Sequence, residues 1–178
     1  MVDMFPVLRV LGILVMIFSL SMGLPLAVSR WTGDGVWRVY PLAMAGTLAA
    51  GAWLWWRLRL FRQELQPRHG VMLVSLVWML LPLFSTVPLM LAAHHIGRPM
   101  SFTHAYFEAV SGLTTTGSTV LVGLDTLPVS VNVWRTFLQW MGGMGILILA
   151  VAVLPLLGVG GSQLFKAEAA GPLKDAKL

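Results

Sequence analysis

The sequence predicts an all-α integral membrane protein with four transmembrane helices and one shorter helix that enters and leaves the membrane on the same side. Three observations predict it. Of 178 residues, 57% are apolar and only 11% are charged, and the mean hydropathy is +0.82, whereas a soluble domain carries about 25% charged residues. Four apolar stretches free of charge approach or exceed the ~20 residues a membrane helix needs. A fifth apolar stretch is interrupted by polar groups and is too short to cross. The composition excludes a soluble enzyme and a disordered chain, since neither solubility nor disorder fits so little charge and so much apolar surface. With no Cys, disulfides, thiol redox chemistry and thiolate metal sites are absent. The net charge of +5 reads as loop charge of a membrane protein rather than as a nucleic-acid surface.

The spans are found between charged or His side chains. The first is residues 10–29, between Arg9 and Arg30. A cleaved signal peptide is the weaker reading of it, because the apolar run exceeds the usual h-region and Asp3 offsets Arg9. The second is 39–56, between Arg38 and Arg57, and the third is 70–93, between His69 and His94. Pro82 and Pro88 put kinks in the third. The fourth lies within 136–165, between Arg135 and Lys166, and leaves through Gly158-Val-Gly-Gly161. If the N-terminus is inside, the inner side holds Arg9, Arg57, Arg59, Arg62, Arg68, Lys166, Lys174 and Lys177. The outer side then holds Arg30, Arg38, Arg98 and Arg135. Eight basic residues against four place both termini of the chain in the cytoplasm. Trp31, Trp37, Trp53, Trp55 and Trp56 flank the first two spans as an interfacial belt does.

Residues 101–113 read as a helix with Ser101 as N-cap. At 1.5 Å per residue it covers about 20 Å, short of the hydrocarbon thickness. It runs into Thr114-Thr-Thr-Gly-Ser-Thr119, which is poor helix material. Non-helical backbone at membrane depth survives only inside protein or along a wet cavity. Two readings fit the spacing. In one, the loop is a cation filter: carbonyls of an extended segment replace the water of an ion, and Gly117 permits the backbone angles required. Thr and Ser hydroxyls add uncharged oxygens, and the preceding helix aims its partially negative C-terminus at the ion. In the other, the run is a Ser/Thr/Gly turn between two outer-side helices, and the chain is a non-transporting membrane scaffold or assembly module. Glu108, an ionisable residue inside the half-helix, is a functional candidate by its depth. Its expected part is to hold the loop by accepting backbone or hydroxyl hydrogen bonds.

Other constellations carry less. Gly142, Gly143 and Gly145 read as close helix packing. His94 and His95 are adjacent, which suits a shared metal poorly. Gly117-Ser118 with His104 lacks the G-x-S-x-G frame of a hydrolase.

His104-Ala-Tyr-Phe-Glu-Ala-Val-Ser-Gly-Leu-Thr-Thr-Thr-Gly-Ser-Thr119 resembles the first pore loop of the Trk/Ktr/HKT superfamily of potassium transporters. Trp134-Arg-Thr-Phe-Leu-Gln-Trp-Met-Gly-Gly-Met-Gly-Ile146 is similar to the start of that family's following helix. Leu154-Pro-Leu-Leu-Gly-Val-Gly-Gly161 and Ala167-Glu-Ala-Ala-Gly-Pro-Leu-Lys-Asp175 match its exit into the next repeat. The TrkH-type subunit, with two extra N-terminal spans, fits best. The resemblance implies residues 1–69 as a two-span hairpin with a cytoplasmic loop, 70–165 as the first helix–pore loop–helix repeat, and 166–178 as the start of a linker to a second repeat. It implies potassium uptake across the cytoplasmic (inner) membrane, not enzymatic chemistry, with this chain supplying one quarter of a selectivity filter. Thr114, Thr115, Thr116, Gly117 and Ser118 would line the ion path, with potassium at Thr115 and Thr116, and Glu108 and Thr119 would support them. Potassium would be cargo, with no cofactor. The implied partners are three further repeats, a second copy in a homodimer, a cytosolic nucleotide-binding regulatory subunit and the lipid bilayer, with no nucleic acid.

Overall fold

A computed structural model describes residues 4–60 and 67–153. The chain divides into two compact units, Met1–Gly143 and Met144–Leu178. Six α-helices occur among the described residues: α1 (Phe5–Ser21), α2 (Gly23–Thr32), α3 (Val39–Leu58), α4 (Pro67–His95), α5 (Phe102–Leu113) and α6 (Val129–Val153). A single 3₁₀ turn, Leu124–Thr126, precedes α6. No strand is present among these residues. Among the described residues two helical stretches are both long and apolar enough to cross a membrane, Phe5–Thr32 and His69–His95. The 20 residues of α3 have the length, but three Trp, a Tyr and two Gly make it less apolar.

The first expected span differs from a plain helix. It breaks at Met22 between α1 and α2. Pro25 has no N–H for the Ser21 carbonyl, and its ring crowds that carbonyl. The Ser19 and Ser21 hydroxyls donate back to the Met16 and Phe18 carbonyls, each at 2.6 Å, a contact that bends helices.

Helix α1 packs along α3 and also meets α4, while α4 packs on α5. The α1–α3 crossing is close because both sides carry Gly. A Cβ on Gly12 would lie 2.9 Å from the Gly51 carbonyl oxygen, and one on Gly51 would lie 2.8 Å from that of Gly12. In lipid such small pairs let two backbones approach. The core joins Phe18 of α1, Tyr40 and Ala43 of α3, Leu89 and Ala92 of α4, Ala105 and Ala109 of α5, and Trp134 and Leu138 of α6.

Pro82 and Pro88 lie inside α4, and each removes one helix donor. The carbonyls three residues before them receive side-chain donors. Tyr106 Oη donates to Met79 O at 3.2 Å, and Trp134 Nε1 to Ser85 O at 3.5 Å. The side chains that reach α4 beside the two prolines thus belong to α5 and α6.

The position of Arg135 corrects the sequence reading. The charge pattern predicts it at the end of the fourth span. It lies within α6, and its side chain is only 13% exposed. Arg62, the Gly158–Gly161 exit, Lys166, Lys174, Lys177 and the 166–178 linker lie outside the described residues.

Candidate functional site

The site is assembled where α5 ends. At its start, the Ser101 hydroxyl accepts from the His104 amide at 3.2 Å, one of the N-terminal donors a helix leaves unpaired. After the 12 residues of α5, the Thr115 amide donates to Gly112 O at 2.9 Å and the Thr116 amide to Ser111 O at 3.0 Å. This pair of bonds is the Schellman C-cap, which demands a left-handed residue after the cap. Thr115 fills that place at φ 59°, where Gly is usual and a β-branched residue is strained. Two residues on, Gly117 has φ 73°, which Gly adopts without cost.

The loop is then tied back to α5. Ser111 Oγ donates to Ser118 O at 2.6 Å. Glu108, 4% exposed, accepts on Oε1 from Thr119 Oγ1 at 2.5 Å and from the Val120 amide at 2.7 Å. Its Oε2 accepts from Arg135 Nε at 2.9 Å. Arg135 Nη1 also donates to Asn132 Oδ1 at 3.4 Å. One carboxylate therefore binds two groups of the loop and one helix cation. A buried carboxylate without such partners would be strongly disfavoured.

Residues 114–120 are exposed on this chain. Their hydroxyls are largely taken up locally. Thr114 Oγ1 donates to Val110 O at 2.8 Å and lies 2.8 Å from Thr116 Oγ1, and Thr115 Oγ1 donates to Thr114 O at 2.7 Å. The carbonyls of Thr115, Thr116 and Gly117 accept no hydrogen bond from described residues. The arrangement thus presents three consecutive free carbonyls beside the C-terminal end of a short helix. That is a cation-seeking surface, since both the carbonyls and the helix end are partially negative.

Helix α6 backs the loop closely. A Cβ on Gly142 would overlap the Leu113 carbonyl group, and one on Gly112 would lie 3.0 Å from Leu138 Cβ.

Residues 40–178 match the TrkH family, described as cation transport protein. The chain belongs to the TrkH family. It is 47% identical over 172 residues to the Trk system potassium uptake protein TrkH of Halomonas elongata, covering 97% of this chain and 35% of that protein. It is 45% identical over 170 residues to the protein of the same name from Escherichia coli, covering 96% and 35%. The crystal structure of the potassium transporter TrkH from Vibrio parahaemolyticus superposes with TM-score 0.81 at 40% identity, over 89% of this chain and 33% of that one. The chain spans about a third of the length of the relatives it matches. TrkH family proteins are membrane transporters, not enzymes.

Within this TrkH-family segment the sequence reading singled out Glu108, Thr114–Thr119 and Gly117, and the structure brings them into one cluster. It missed Arg135 and Ser111 as members. The i, i+7 relation of Ser111 to Ser118 carries no helical signal across a helix end. No spacing signal pairs Arg135 with Glu108, since Asp125 is the nearer acid in the sequence.

Proposed function

We propose that this chain forms part of a potassium pathway across the cytoplasmic membrane, as one of four helix–pore loop–helix repeats around a common filter. In this reading α5 is a re-entrant pore helix. The 10–29, 39–56, 70–93 and post-135 stretches are the four spans, with both termini cytoplasmic. Thr114 to Ser118 supply one filter strand, with potassium at the Thr115 and Thr116 carbonyls, and Glu108 and Thr119 hold the strand. The observation that carries it is the run of free carbonyls at Thr115, Thr116 and Gly117, on a loop that three side chains of its own chain hold open. A turn serving only to join two helices needs no such fastening. The relatives are named potassium uptake proteins and are about three times as long, which leaves room for three further repeats. The assembly would be completed by a second copy of the subunit and a cytosolic nucleotide-binding regulatory subunit.

The protein's own contribution is geometric. Carbonyls held at fixed spacing replace the hydration shell of one ion size better than another. No bond is made or broken, and potassium is cargo. The test is Gly117→Ser in the full-length transporter carrying this segment. A side chain at φ 73° forces the strand to shift, so potassium-over-sodium discrimination should fall, read as rubidium uptake under sodium competition. Unchanged discrimination at equal protein level would overturn the assignment.

A further inference from the structure

The loop between α2 and α3 contains a carboxylate that reaches a helix 96 residues away. Gly33 and Gly35 have φ 64° and 85°, so the chain reverses tightly on both sides of Asp34. Asp34 Oδ1 accepts from the Ser29 hydroxyl and from the Val36 amide, the latter at 3.3 Å. Those bonds fix the carboxylate within its own loop. Its other oxygen, Oδ2, accepts from the Ser130 amide at 2.9 Å.

Ser130 is the second residue of α6 and is fully buried. Its N–H is one of the donors that every helix leaves unpaired at its start. Pro128, just before the helix, has no side-chain oxygen to offer. Asp34 therefore performs the capping that the local sequence does not, and its negative charge suits the positive end of the helix dipole. A second group of the hairpin holds the same residue. Tyr40 Oη, at the start of α3 and 1% exposed, donates to Ser130 Oγ at 3.0 Å. One helical turn further, Trp134 of α6 packs against Phe18 of α1 in a tilted pair, with ring centroids 5.9 Å apart and planes at 54°.

Three groups of α1–α3 thus grip α6 over residues 130–134. The next residue is Arg135, whose guanidinium meets Glu108 behind the loop. Five helical steps separate Ser130 from Arg135, about 7.5 Å of rigid rod. Movement of α6 along its axis cannot be absorbed at its other contact, where Gly142 already lies against the Leu113 carbonyl group.

We propose that Asp34 is a positioning residue for the filter strand: by seating the first turn of α6 it sets where Arg135 meets Glu108, and so where Thr119 and Val120 are held. The N-terminal hairpin is then part of the selectivity apparatus and more than an added membrane anchor. The inference rests on the filter reading of Thr114–Ser118.

The alternatives differ in what they predict for two substitutions. If Asp34 acts by capping geometry, Asp34→Asn keeps most of the function. An Asn oxygen still accepts from the Ser130 amide, and its NH₂ can donate to the Ser29 hydroxyl, which accepts as readily as it donates; only the long bond from the Val36 amide, 3.3 Å, is given up. Asp34→Glu keeps the charge but displaces it by one methylene, so it should fail. If Asp34 acts only by drawing cations to the outer surface, the order reverses.

The experiment uses the full-length transporter carrying this segment. Rubidium uptake under sodium competition is measured for Asp34→Asn, Asp34→Glu and Asp34→Ala, and for Gly117→Ser as the control on the filter itself. Loss of one helix cap sets an effect of about fivefold, and of about thirtyfold at most. Asp34→Ala and Asp34→Glu should lose discrimination on that scale, and Asp34→Asn should stay near the parent. In a double variant with Arg135→Gln, the Asp34→Ala effect should vanish, because both act on one contact. Discrimination lost in Gly117→Ser but kept in Asp34→Ala overturns the positioning role and leaves the filter reading standing. Additive effects of Asp34→Ala and Arg135→Gln overturn it as well, as does Asp34→Glu outperforming Asp34→Asn. No change in Gly117→Ser removes the filter reading, and this inference with it. If Asp34→Ala does not accumulate in the membrane, the Asn-against-Glu order still decides.

Discussion

Replacing Glu108 by Gln isolates the charge of the site while keeping its shape. The Gln carbonyl can stay where Oε1 is, accepting from Thr119 Oγ1 and the Val120 amide at 2.5 and 2.7 Å. Its NH₂ then occupies the place of Oε2, facing Arg135 Nε at 2.9 Å. Donor meets donor, and one charge-assisted bond worth about 1.5–3 kcal/mol is lost. Arg135 is left largely out of water, 13% exposed, with only the Asn132 contact at 3.4 Å. Breaking a buried pair by removing one partner costs about 3–5 kcal/mol. The remaining exposure and the Asn132 contact favour the lower end, about 3 kcal/mol. The double variant Glu108→Gln/Arg135→Gln has no stranded charge and can form an amide–amide bond. It should lie within about 1 kcal/mol of the parent, as neutral replacements of buried pairs often do. The assay is the thermal-unfolding midpoint of the purified full-length protein in detergent, with rubidium-over-sodium uptake on the same variants. The expected order of stability is parent, then double variant, then Glu108→Gln. A double variant no more stable than Glu108→Gln would refute the claim that the stranded guanidinium is what costs. A parental midpoint and parental selectivity in Glu108→Gln would refute the claim that the charge pairing of Glu108 with Arg135 matters to the site.

Two further outcomes follow from particular contacts. Gly142→Ala places a methyl group on the Leu113 carbonyl, an overlap that backbone must yield to, so the variant should lose about 1–3 kcal/mol or more of stability; Gly46→Ala, where a Cβ meets nothing within 4 Å, should unfold at or above the parental midpoint. Asp34 lies between helices, and burial raises its pKa, but hydrogen bonds from the Ser130 side chain and amide, the Ser29 hydroxyl and the Val36 amide outweigh that and hold it below the ordinary carboxylate value. Its contribution to stability is therefore complete above the unfolded-state value of about 3.9 and is lost as pH falls through the lower folded value; the midpoint of the parent should drop over that acidic window more than that of Asp34→Asn, and equal slopes would remove the assigned hydrogen bonds.

How much of this was legible in the sequence depends on how far each contact reaches along the chain. Ser101 as a cap, the short α5 and the irregular run from Thr114 are local matters, decided within a few residues by propensity, capping and Gly content. The left-handed Thr115 was not legible, because Thr is a poor choice for that angle and only the two bonds to Ser111 and Gly112 force it there. The Gly12–Gly51 crossing was not legible either, since each Gly alone reads as a weak spot in a helix and only their meeting explains both. Asp34 and Ser130 stand 96 positions apart, and nothing in the spacing of either marks the other.

Arg135 teaches something more general. Treating every charge as the end of an apolar stretch puts Arg135 at a span end. In the structure α6 begins at Val129, six residues before Arg135, and Arg135 pairs with Glu108, 27 residues back. What a low-dielectric interior excludes is the unpaired charge. A chain with seven acidic residues against twelve basic ones has few acids to place, and of the two described in most detail, one caps α6 and the other meets its cation. Both acids act on the same helix, one at Ser130 and one at Arg135. Their joint effect is to hold in one register the helix that backs the carbonyl-bearing loop, which is where a filter of fixed geometry needs its rigidity.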